Sequence, residues 1–308
     1  MTMNRNIAIT GATGFVGQHL VDQAVAGGFS VKALTRRPQP PRAGVTWIEG
    51  ALDRPDALDR LAEGVSAVIH VAGVINARTA AAFDAGNVTG TEAMIAAARS
   101  AGVQRFVHVS SLAAREAGLS AYGASKARSE VVVAASGLDW TIVRPPAVYG
   151  PADHESFELF RMAARGIVLL PPGGRLSVIH AQDLSDLLLR LTESGAATGL
   201  TLEPDDGRAQ GWDHREFADA IGQAVGRPVR SLSMPRALLT AAAATDTLLG
   251  RLSGRMPRLS FDRARYFCHP DWVATDARRP DAGLWTPTIE THAGLAATAR
   301  WYREHGWL

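Results

Sequence analysis

The fold is decided by the stretch Ile7-Ala8-Ile9-Thr10-Gly11-Ala12-Thr13-Gly14-Phe15-Val16-Gly17, which combines a short apolar strand, a glycine-rich turn and the start of a helix. Apolar residues at helical spacing continue to a stop at Gly27-Gly28. In such a turn Gly11 allows a sharp bend, Gly14 allows a pyrophosphate to approach the backbone, and Gly17 allows close packing of helix on strand. The stretch therefore predicts an anion site at the helix N-terminus, where the helix dipole favours negative charge.

Composition narrows the class of protein. The chain has 308 residues, 46% of them hydrophobic and 20% charged, which is typical of a soluble globular protein with one large or two modest domains. The net charge of +2 is spread without a basic tract, so we expect no nucleic-acid partner. The single cysteine, Cys268, excludes an internal disulfide and fits a reducing compartment. The nine histidines lack metal-ligand spacing such as H-E-x-x-H, so no metal is expected.

The ends and apolar runs of the chain give no targeting signal. The polar start over residues 1–6 predicts that no signal peptide precedes the first strand. The most apolar run, 237–249, is too short to span a bilayer and contains Asp246. We therefore expect a cytoplasmic protein with no membrane span. The apolar run is interpreted as ordinary core packing, with a lid over a greasy substrate or a dimer face as the alternatives.

Strands and helices alternate through the first half of the chain. Short apolar segments predict strands, and alanine-rich or capped segments between them predict helices. The predicted strands after the first are 30–35, 45–49, 67–71, 105–110 and 140–144, and the predicted helices are one started by Asp53-Arg54-Pro55, then 89–100 and 122–135. This order predicts an α/β fold with a doubly wound parallel sheet that binds its ligand at the carboxyl ends of the strands.

The second half is less regular. We predict a dinucleotide-binding domain over residues 1–150 and a smaller, mostly helical substrate-binding cap over 151–308, with 176–194 packing back onto the first domain. The predicted elements there are helices at 156–165, 181–193, 213–225, 236–250 and 288–304, and a strand at 176–179.

A second pattern, Tyr122-Gly-Ala-Ser-Lys126, carries a candidate acid–base pair. Residues four apart on a helix share one face, so the ammonium would lie beneath the phenol. A neighbouring cation favours the phenolate, so we expect the pKa of Tyr122 to fall. The alternative is an exposed pair on a helix surface, because this spacing is common.

Taken together, these motifs resemble the extended short-chain dehydrogenase/reductase family, which includes NAD(P)-dependent epimerases and dehydratases. The resemblance runs nearly the whole length of the chain and implies a Rossmann-type fold. The matching stretches are Thr10-Gly-Ala-Thr-Gly-Phe-Val-Gly17, Gly50-Ala-Leu-Asp53, His70-Val-Ala-Gly73, Asn87-Val-Thr-Gly-Thr91, Val109-Ser-Ser111, Tyr122-x3-Lys126, Arg144-Pro-Pro-Ala-Val-Tyr-Gly150, Val178-Ile-His-Ala-Gln-Asp183 and Trp301-Tyr-Arg-Glu-His-Gly-Trp307.

The resemblance implies a catalytic role for three residues. Tyr122 would exchange a proton with the substrate oxygen, and Lys126 would lower the pKa of that phenol and hold the nicotinamide ribose. Ser111 would hydrogen-bond the reacting carbonyl or hydroxyl. Ser110 is the alternative for that role, and a strand-end cap is the alternative interpretation of Ser111. The loop between Ser111 and Tyr122 has only ten residues, which is short for the family's sugar-nucleotide enzymes and predicts a more open pocket.

The resemblance also implies a cofactor cleft. Asp53 would face the adenine, Ala72 and Gly73 would pass beneath the adenosine, and Asn87 would steady the backbone, with a helix N-cap as the alternative for Asn87. The complete set is Gly11, Thr13, Gly14, Phe15, Val16, Arg36, Arg37, Leu52, Asp53, Val71, Ala72, Gly73, Asn87, Tyr122, Lys126, Pro145, Ala147 and Val148, of which Pro145, Ala147 and Val148 would line the nicotinamide pocket.

Cofactor preference can be argued from charge. Enzymes that prefer NAD place an acid after the second strand to accept from the ribose hydroxyls. Here that position reads Thr35-Arg36-Arg37, and two guanidinium groups suit a 2′-phosphate. We therefore expect NADP(H) over NAD(H), unless the two arginines are only solvated surface groups.

The leading hypothesis is an NADP-dependent oxidoreductase that moves hydride between the nicotinamide and a carbonyl or alcohol carbon of a small molecule. One alternative is epimerisation or dehydration of a sugar nucleotide, and another is a non-catalytic NADP(H)-binding protein with a redox-sensing or structural role. The presence of both Tyr122 and Lys126 favours an enzyme. The resemblance further implies a homodimer built from the helices at 89–100 and 122–135. No charged anchor identifies the substrate.

Overall fold

The computed structural model describes residues 5–255 and 259–308. Residues 1–4, which carry most of the expectation about a signal peptide, lie outside this range. The strands are β1 Asn6–Thr10, β2 Ser30–Thr35, β3 Val45–Glu49, β4 Ala67–His70, β5 Arg105–Val109, β6 Asp139–Val143, β7 Ala147–Tyr149, β8 Ile167–Leu170, β9 Arg175–Leu176, β10 Val178–His180, β11 Leu200–Leu202, β12 Trp212–Asp213, β13 Arg230–Ser233 and β14 Asp271–Trp272.

The helices surround these strands. They are α1 Phe15–Ala26, α2 Pro55–Ala62, α3 Ala80–Asp84, α4 Gly90–Ser100, α5 Ala121–Ala134, α6 His154–Ala164, α7 Ala181–Glu193, α8 His214–Ala224, α9 Arg236–Ser253, α10 Phe261–Phe267 and α11 Thr291–Glu304. A π-helical turn, Ala85–Thr89, joins α3 to α4, and 3₁₀ helices cover Leu112–Glu116 and Asp276–Arg278. Among the described residues no helix combines the length and apolar character needed to cross a bilayer.

The centre of the molecule is a seven-stranded sheet in the order β11-β6-β5-β4-β1-β2-β3. Every neighbouring pair in this sheet is parallel. The inner strands are apolar without alternation because helices cover both faces. Ile7, Ala8 and Ile9 of β1, for example, are almost completely buried. The predicted doubly wound parallel sheet is confirmed.

Helices on the two faces bury separate hydrophobic clusters. On one face α1 packs against α7, and Leu20 and Leu187 belong to the same cluster. On the other face α2 packs against α4, and Leu58 and Met94 share a second cluster with Phe106 of β5. The segment that contains β10 and α7 therefore lies against the sheet, although it follows the first half of the chain by many residues.

The glycine-rich turn after β1 is as tight as the spacing suggests. Gly11 has φ +72°, and a Cβ atom there would lie 2.7 Å from the backbone nitrogen of Ala72. A Cβ atom on Gly17 would lie 2.0 Å from the Gly11 carbonyl oxygen. Backbone atoms cannot give way as a flexible side chain can, so a residue with a Cβ atom at either position would force strand and helix apart. The close approach fixes the start of α1 at the carboxyl edge of the sheet.

The second half builds a third cluster from α6, α8 and α11, which includes Phe160, Phe217 and Tyr302.

Several element boundaries differ from the sequence prediction. The strand expected at 176–179 is divided into β9 and β10, and the helix expected at 288 begins at Thr291. Helix α2 begins at Pro55, as the Asp53-Arg54-Pro55 signal predicts, and its N-cap is Arg54, which makes no side-chain bond. The short helix α10 and the pair β8–β13 were not predicted.

Candidate functional site

The N-terminus of α1 has the properties of an anion site. Its N-cap, Gly14, makes no side-chain cap, and the first turn of the helix contains no acid. A Cβ atom on Gly14 would meet only the Gly11 carbonyl oxygen, at 3.3 Å, so the space above the turn is open. Thr13 is exposed, and the Phe15 ring contacts the His19 ring edge to face. This helix N-terminus is open, and no acidic side chain in the first turn neutralises the positive end of the helix dipole, so it suits a diphosphate group.

Strand β4 ends beside this turn. Thr10 accepts a hydrogen bond from the Ala72 backbone N–H at 3.1 Å, and its hydroxyl lies 2.8 Å from His70 Nδ1. Val71 and Val16 pack on one hydrophobic cluster, and Val148 after β6 packs on it as well. These candidate cofactor residues, which are far apart in sequence, thus surround the carboxyl ends of β1, β4 and β6.

Gly73 brings the next two candidates together. A Cβ atom on Gly73 would lie 3.0 Å from Asn87 Oδ1 and 3.8 Å from Lys126 Nζ. The absence of a side chain at Gly73 therefore lets the Lys126 ammonium and the Asn87 amide lie close to the same stretch of backbone. This stretch follows β4, beside the glycine-rich turn that begins at Gly11.

Asn87 holds the backbone of the loop after β4. Its Oδ1 accepts from the Val74 N–H at 2.6 Å, and its Nδ2 donates to the Val74 carbonyl at 3.0 Å and to Ser125 Oγ at 2.9 Å. Ser125 in turn donates to the Tyr122 carbonyl. Asn87 lies inside the π-helical turn Ala85–Thr89, so the N-cap alternative is wrong. Such turns are often found at functional sites.

Ser111 and Tyr122 face a common cavity. Both residues line it, and a side-chain hydrogen bond joins them. Helix α5 begins just before the tyrosine because Ser120 accepts from the Gly123 N–H. Ser110 is buried and donates to Glu130, which pairs with Arg144. The two neighbouring serines thus point to different surroundings, and Ser111 is the one beside the phenol.

Lys126 is buried in α5, one helical turn after Tyr122. Its Nζ donates to the Val109 carbonyl at 2.9 Å, and only 3% of the residue is exposed. Burial lowers the pKa of Lys126 to about 8, against the opposite effect of the nearby Glu130 carboxylate. The ammonium therefore has a fixed position close to Asn87 and Gly73.

The expectation of a lowered pKa for Tyr122 is wrong for this structure. Burial raises the pKa of the Tyr122 phenol, and the hydrogen bond from Ser111 offsets this only in part. The negative charge of Glu155 also raises that pKa. The cause is that a phenolate loses more by leaving water than it gains from its neighbours. Tyr122 is consequently protonated at neutral pH.

The remaining cofactor candidates lie at the same edge of the sheet. Arg36 and Arg37 follow β2 and are exposed, and neither guanidinium bonds to another group within residues 5–255 and 259–308. Asp53 is exposed before α2, and Leu52 packs against Gly90 of α4. The backbone of Pro145 accepts from Leu112, and Ala147 begins β7.

The cavity beside Tyr122 has a volume of about 700 Å³. Its walls come from the segment 75–83, the residues around Ser111 and Tyr122, the end of α9, and α10. Sequence reasoning missed its aromatic and aliphatic wall, since these residues come from two segments that are far apart in the sequence. The aromatic spacing in α10 was the only available signal. The missed apolar residues are Ile75, Phe83, Phe261, Tyr266 and Phe267.

Charged groups at this cavity bond to other groups of the protein, and Arg78 donates to the Gly254 carbonyl. Arg255 pairs with Asp246, and Arg263 pairs with Glu155 at 3.0 Å. Asp262 accepts from the Ala121 N–H at 2.9 Å, which ties α10 to the start of α5. The wall therefore offers apolar surface more than uncompensated positive charge. Among the described residues no group of three or more His, Cys, Asp or Glu side chains could hold a metal ion.

Comparison with known proteins agrees with this geometry. A family model described as NAD(P)H-binding matches residues 11–164. The chain is 40% identical to ceramide reductase of Caulobacter vibrioides, covering 98% of this chain and 96% of that protein. It is 29% identical to sterol demethylase protein B of Methylococcus capsulatus, with 97% and 99% covered. The structure of MoeE5 with UDP-glucose and NAD has a TM-score of 0.73 at 22% identity, with 97% and 99% covered, and so shares the fold.

Proposed function

Because this chain belongs to the extended short-chain dehydrogenase/reductase family of NAD(P)-dependent oxidoreductases, we propose that it reduces a ketone group in a long-chain lipid to a secondary alcohol with NADPH. The observation that carries the proposal is the apolar cavity beside Tyr122 and Ser111. Phe83, Phe261 and Phe267 give this cavity an aromatic wall suited to hydrocarbon. The relatives named for ceramide and sterol chemistry support a lipid substrate.

The residues at the sheet edge suit the cofactor. When bound, NADPH supplies the hydride that reduces the ketone carbon. The N-terminus of α1 at Gly14 would hold the diphosphate through backbone N–H groups. Lys126 would donate to the nicotinamide ribose, and Asn87 would keep the Val74 backbone in place beside it. Pro145, Ala147 and Val148 would form the nicotinamide pocket.

Tyr122 would supply the proton. Reduction of a ketone needs one hydride at carbon and one proton at oxygen, and the phenol gives its proton to the oxygen as the alkoxide forms. The raised pKa keeps that phenol protonated at neutral pH, which is the form a proton donor requires. Ser111 would donate to the same oxygen and polarise the carbonyl. Tyr122 is therefore in the protonation state that ketone reduction requires.

Sugar-nucleotide epimerisation or dehydration fits this cavity less well. A nucleotide diphosphate needs positive charge that no acid already neutralises, whereas Arg255 and Arg263 pair with carboxylates here. A purely structural or redox-sensing role would leave the Ser111, Tyr122 and Lys126 arrangement without purpose. The reductase proposal accounts for both features.

The substrate proposal is tested by measuring NADPH consumption with two ketones, and by chromatographic detection of product from UDP-glucose, because epimerisation or dehydration consumes no net NADPH. We expect turnover of a long-chain lipid ketone presented in detergent micelles to exceed that of a short water-soluble ketone in kcat/KM, since each buried methylene contributes about 0.8 kcal/mol. UDP-glucose is expected to be inactive. Turnover of UDP-glucose alone would overturn the proposal.

NADPH preference is tested at Arg36 and Arg37. Removal of both guanidinium groups, Arg36→Ala with Arg37→Ala, is expected to lower the ratio of NADPH to NADH affinity by about tenfold to a hundredfold, because charged hydrogen bonds to a 2′-phosphate are lost. Calorimetric titration with each cofactor measures the ratio. The control, Arg99→Ala with Arg303→Ala, removes the same charge from two exposed helix positions. Equal affinity of the unaltered protein for NADPH and NADH would refute this assignment.

A further inference from the structure

Helix α9 presents an apolar face to solvent. Surface helices normally turn their charged side outward, but here Leu238, Leu248 and Leu249 are 57%, 58% and 50% exposed. The other outward positions between 237 and 250 are alanine and threonine. The acid of this stretch, Asp246, is turned inward, where it accepts from Arg255 and from the Leu259 N–H. The outer face of α9 therefore has the character of a buried surface.

Neighbouring exposed residues extend this face. Leu232 of β13 and Leu169 of β8 are cross-strand partners, and both are about half exposed. Only the turn at Pro235 separates β13 from α9. An exposed apolar surface built from several elements marks an interaction site more strongly than scattered single residues.

The charge around α9 indicates what kind of surface it meets. The sequence from 227 to 268 contains eight arginines and two aspartates, a formal charge of +6 in a chain whose total is +2. The rest of the chain is therefore negative overall. Arg230 and Arg236 are exposed on the approach to the helix. An apolar face with arginines beside it is the pattern of helices that lie in the interface of an anionic bilayer.

The same helix forms one wall of the cavity. Thr247 and Gly250 on its inner side line the cavity, and α9 packs against α10, which carries Phe261 and Phe267. These two phenylalanines are 46% and 43% exposed, so the aromatic wall reaches the outside beside α9. A molecule that left a bilayer at the outer face would thus have a short apolar route to Tyr122.

We propose that α9 lies flat in the headgroup region of an anionic membrane and that the lipid ketone enters the cavity from the bilayer beside it. The entry of a lipid ketone rests on the proposed function. The binding of α9 to a membrane is inferred from the exposed leucines and the local positive charge. A helix in this position inserts its apolar face at the boundary of headgroups and acyl chains. Leu238, Leu248 and Leu249 would enter that boundary, and Arg230 and Arg236 would meet lipid phosphates.

Vesicle flotation tests the proposal with the full chain. We expect the protein to float with vesicles of equal parts phosphatidylglycerol and phosphatidylcholine, and to remain unbound with phosphatidylcholine alone. Leu248→Glu with Leu249→Glu is expected to lower vesicle affinity by about tenfold or more, because two side chains that would enter the bilayer become anionic. The control with the same change of charge is Leu200→Glu with Val131→Glu, at two exposed apolar residues on β11 and α5, which should float like the unaltered protein.

Activity on a water-soluble ketone separates this inference from the proposed function. The Leu248→Glu, Leu249→Glu protein should keep its turnover of a short ketone and its stabilisation by NADPH, and lose turnover of a lipid ketone embedded in anionic vesicles. Vesicle binding without any ketone turnover would leave the membrane inference intact and refute the reductase. Failure of the unaltered protein to float, equal flotation of the double variant, or equal binding to phosphatidylcholine alone would overturn the membrane inference. So would light scattering that shows a dimer of the unaltered chain that the two glutamates dissociate.

Discussion

Tyr122→Phe is expected to lower kcat for ketone reduction by about a thousandfold, which is the usual contribution of a positioned proton donor. The variant keeps the ring that contacts Phe83 and loses only the hydroxyl that is bonded to Ser111. Because the open helix N-terminus at Gly14 and the Lys126 ammonium are unchanged, the dissociation constant for NADPH should change little. Single-turnover measurement of NADPH oxidation with a saturating ketone gives the rate of the chemical step.

The control for this substitution is Tyr302→Phe. That residue loses a hydroxyl of the same kind, which donates to the Asp153 carbonyl in the third hydrophobic cluster. Its turnover should match the unaltered protein after correction for the folded fraction. A Tyr122→Phe variant that retains more than about a tenth of the activity would show that another group gives the proton.

Lys126→Met is expected to abolish useful turnover while making the protein more stable at neutral pH. Burial lowers the pKa of Lys126 from 10.5 to about 8, so the folded state holds the ammonium at a cost of about 3 kcal/mol. The variant also loses the hydrogen bond from Lys126 to the Val109 carbonyl, which reduces the gain in stability by about 1 kcal/mol. The expected gain in unfolding free energy at pH 7 is therefore about 2 kcal/mol.

The pH dependence of this gain has a definite sign. Between pH 8 and 10.5 the folded state releases the Lys126 proton and the unfolded state keeps it, so the stability of the unaltered protein rises with pH relative to the variant. The advantage of Lys126→Met should be full below pH 8 and should shrink as pH increases to 10.5. Chemical denaturation at a series of pH values measures it. A variant that is less stable at pH 7, or an advantage that grows with pH, would contradict the cost assigned to the buried ammonium.

The sheet could be predicted from sequence because local signals agree with the global fold. β1, the turn at Gly11 and helix α1 are contiguous, and each is encoded by periodicity or by glycine. The family inferred from the same stretch is confirmed by the match over residues 11–164. The close approach of Gly17 to Gly11 then follows from the spacing of three glycines.

The environment of the site could not be predicted in the same way. The pKa of Tyr122 depends on burial, and much of the surrounding wall comes from α10, about 140 residues later in the chain. Helical spacing predicts that Lys126 shares a face with Tyr122, whereas the burial that raises the pKa of the phenol has no local sequence signal. The N-cap alternative for Asn87 is wrong because the residue lies within a π-helical turn, which differs from an α-helix by a single inserted residue. The apolar run in α9 predicts core packing, but its outer face is exposed, because apolar composition does not indicate whether a face of a helix is covered.

We propose that a ketone in the cavity beside Tyr122 receives hydride from a nicotinamide held at the edge marked by Gly14, Gly73 and Lys126. The most direct test is incubation of the protein with a long-chain lipid ketone and NADPH deuterated on the transferring face of its nicotinamide ring, followed by mass spectrometry of the lipid. We expect an alcohol that carries deuterium at the former carbonyl carbon, in amount equal to the NADPH consumed. An alcohol without deuterium, or NADPH that binds while the ketone is unchanged, would contradict it.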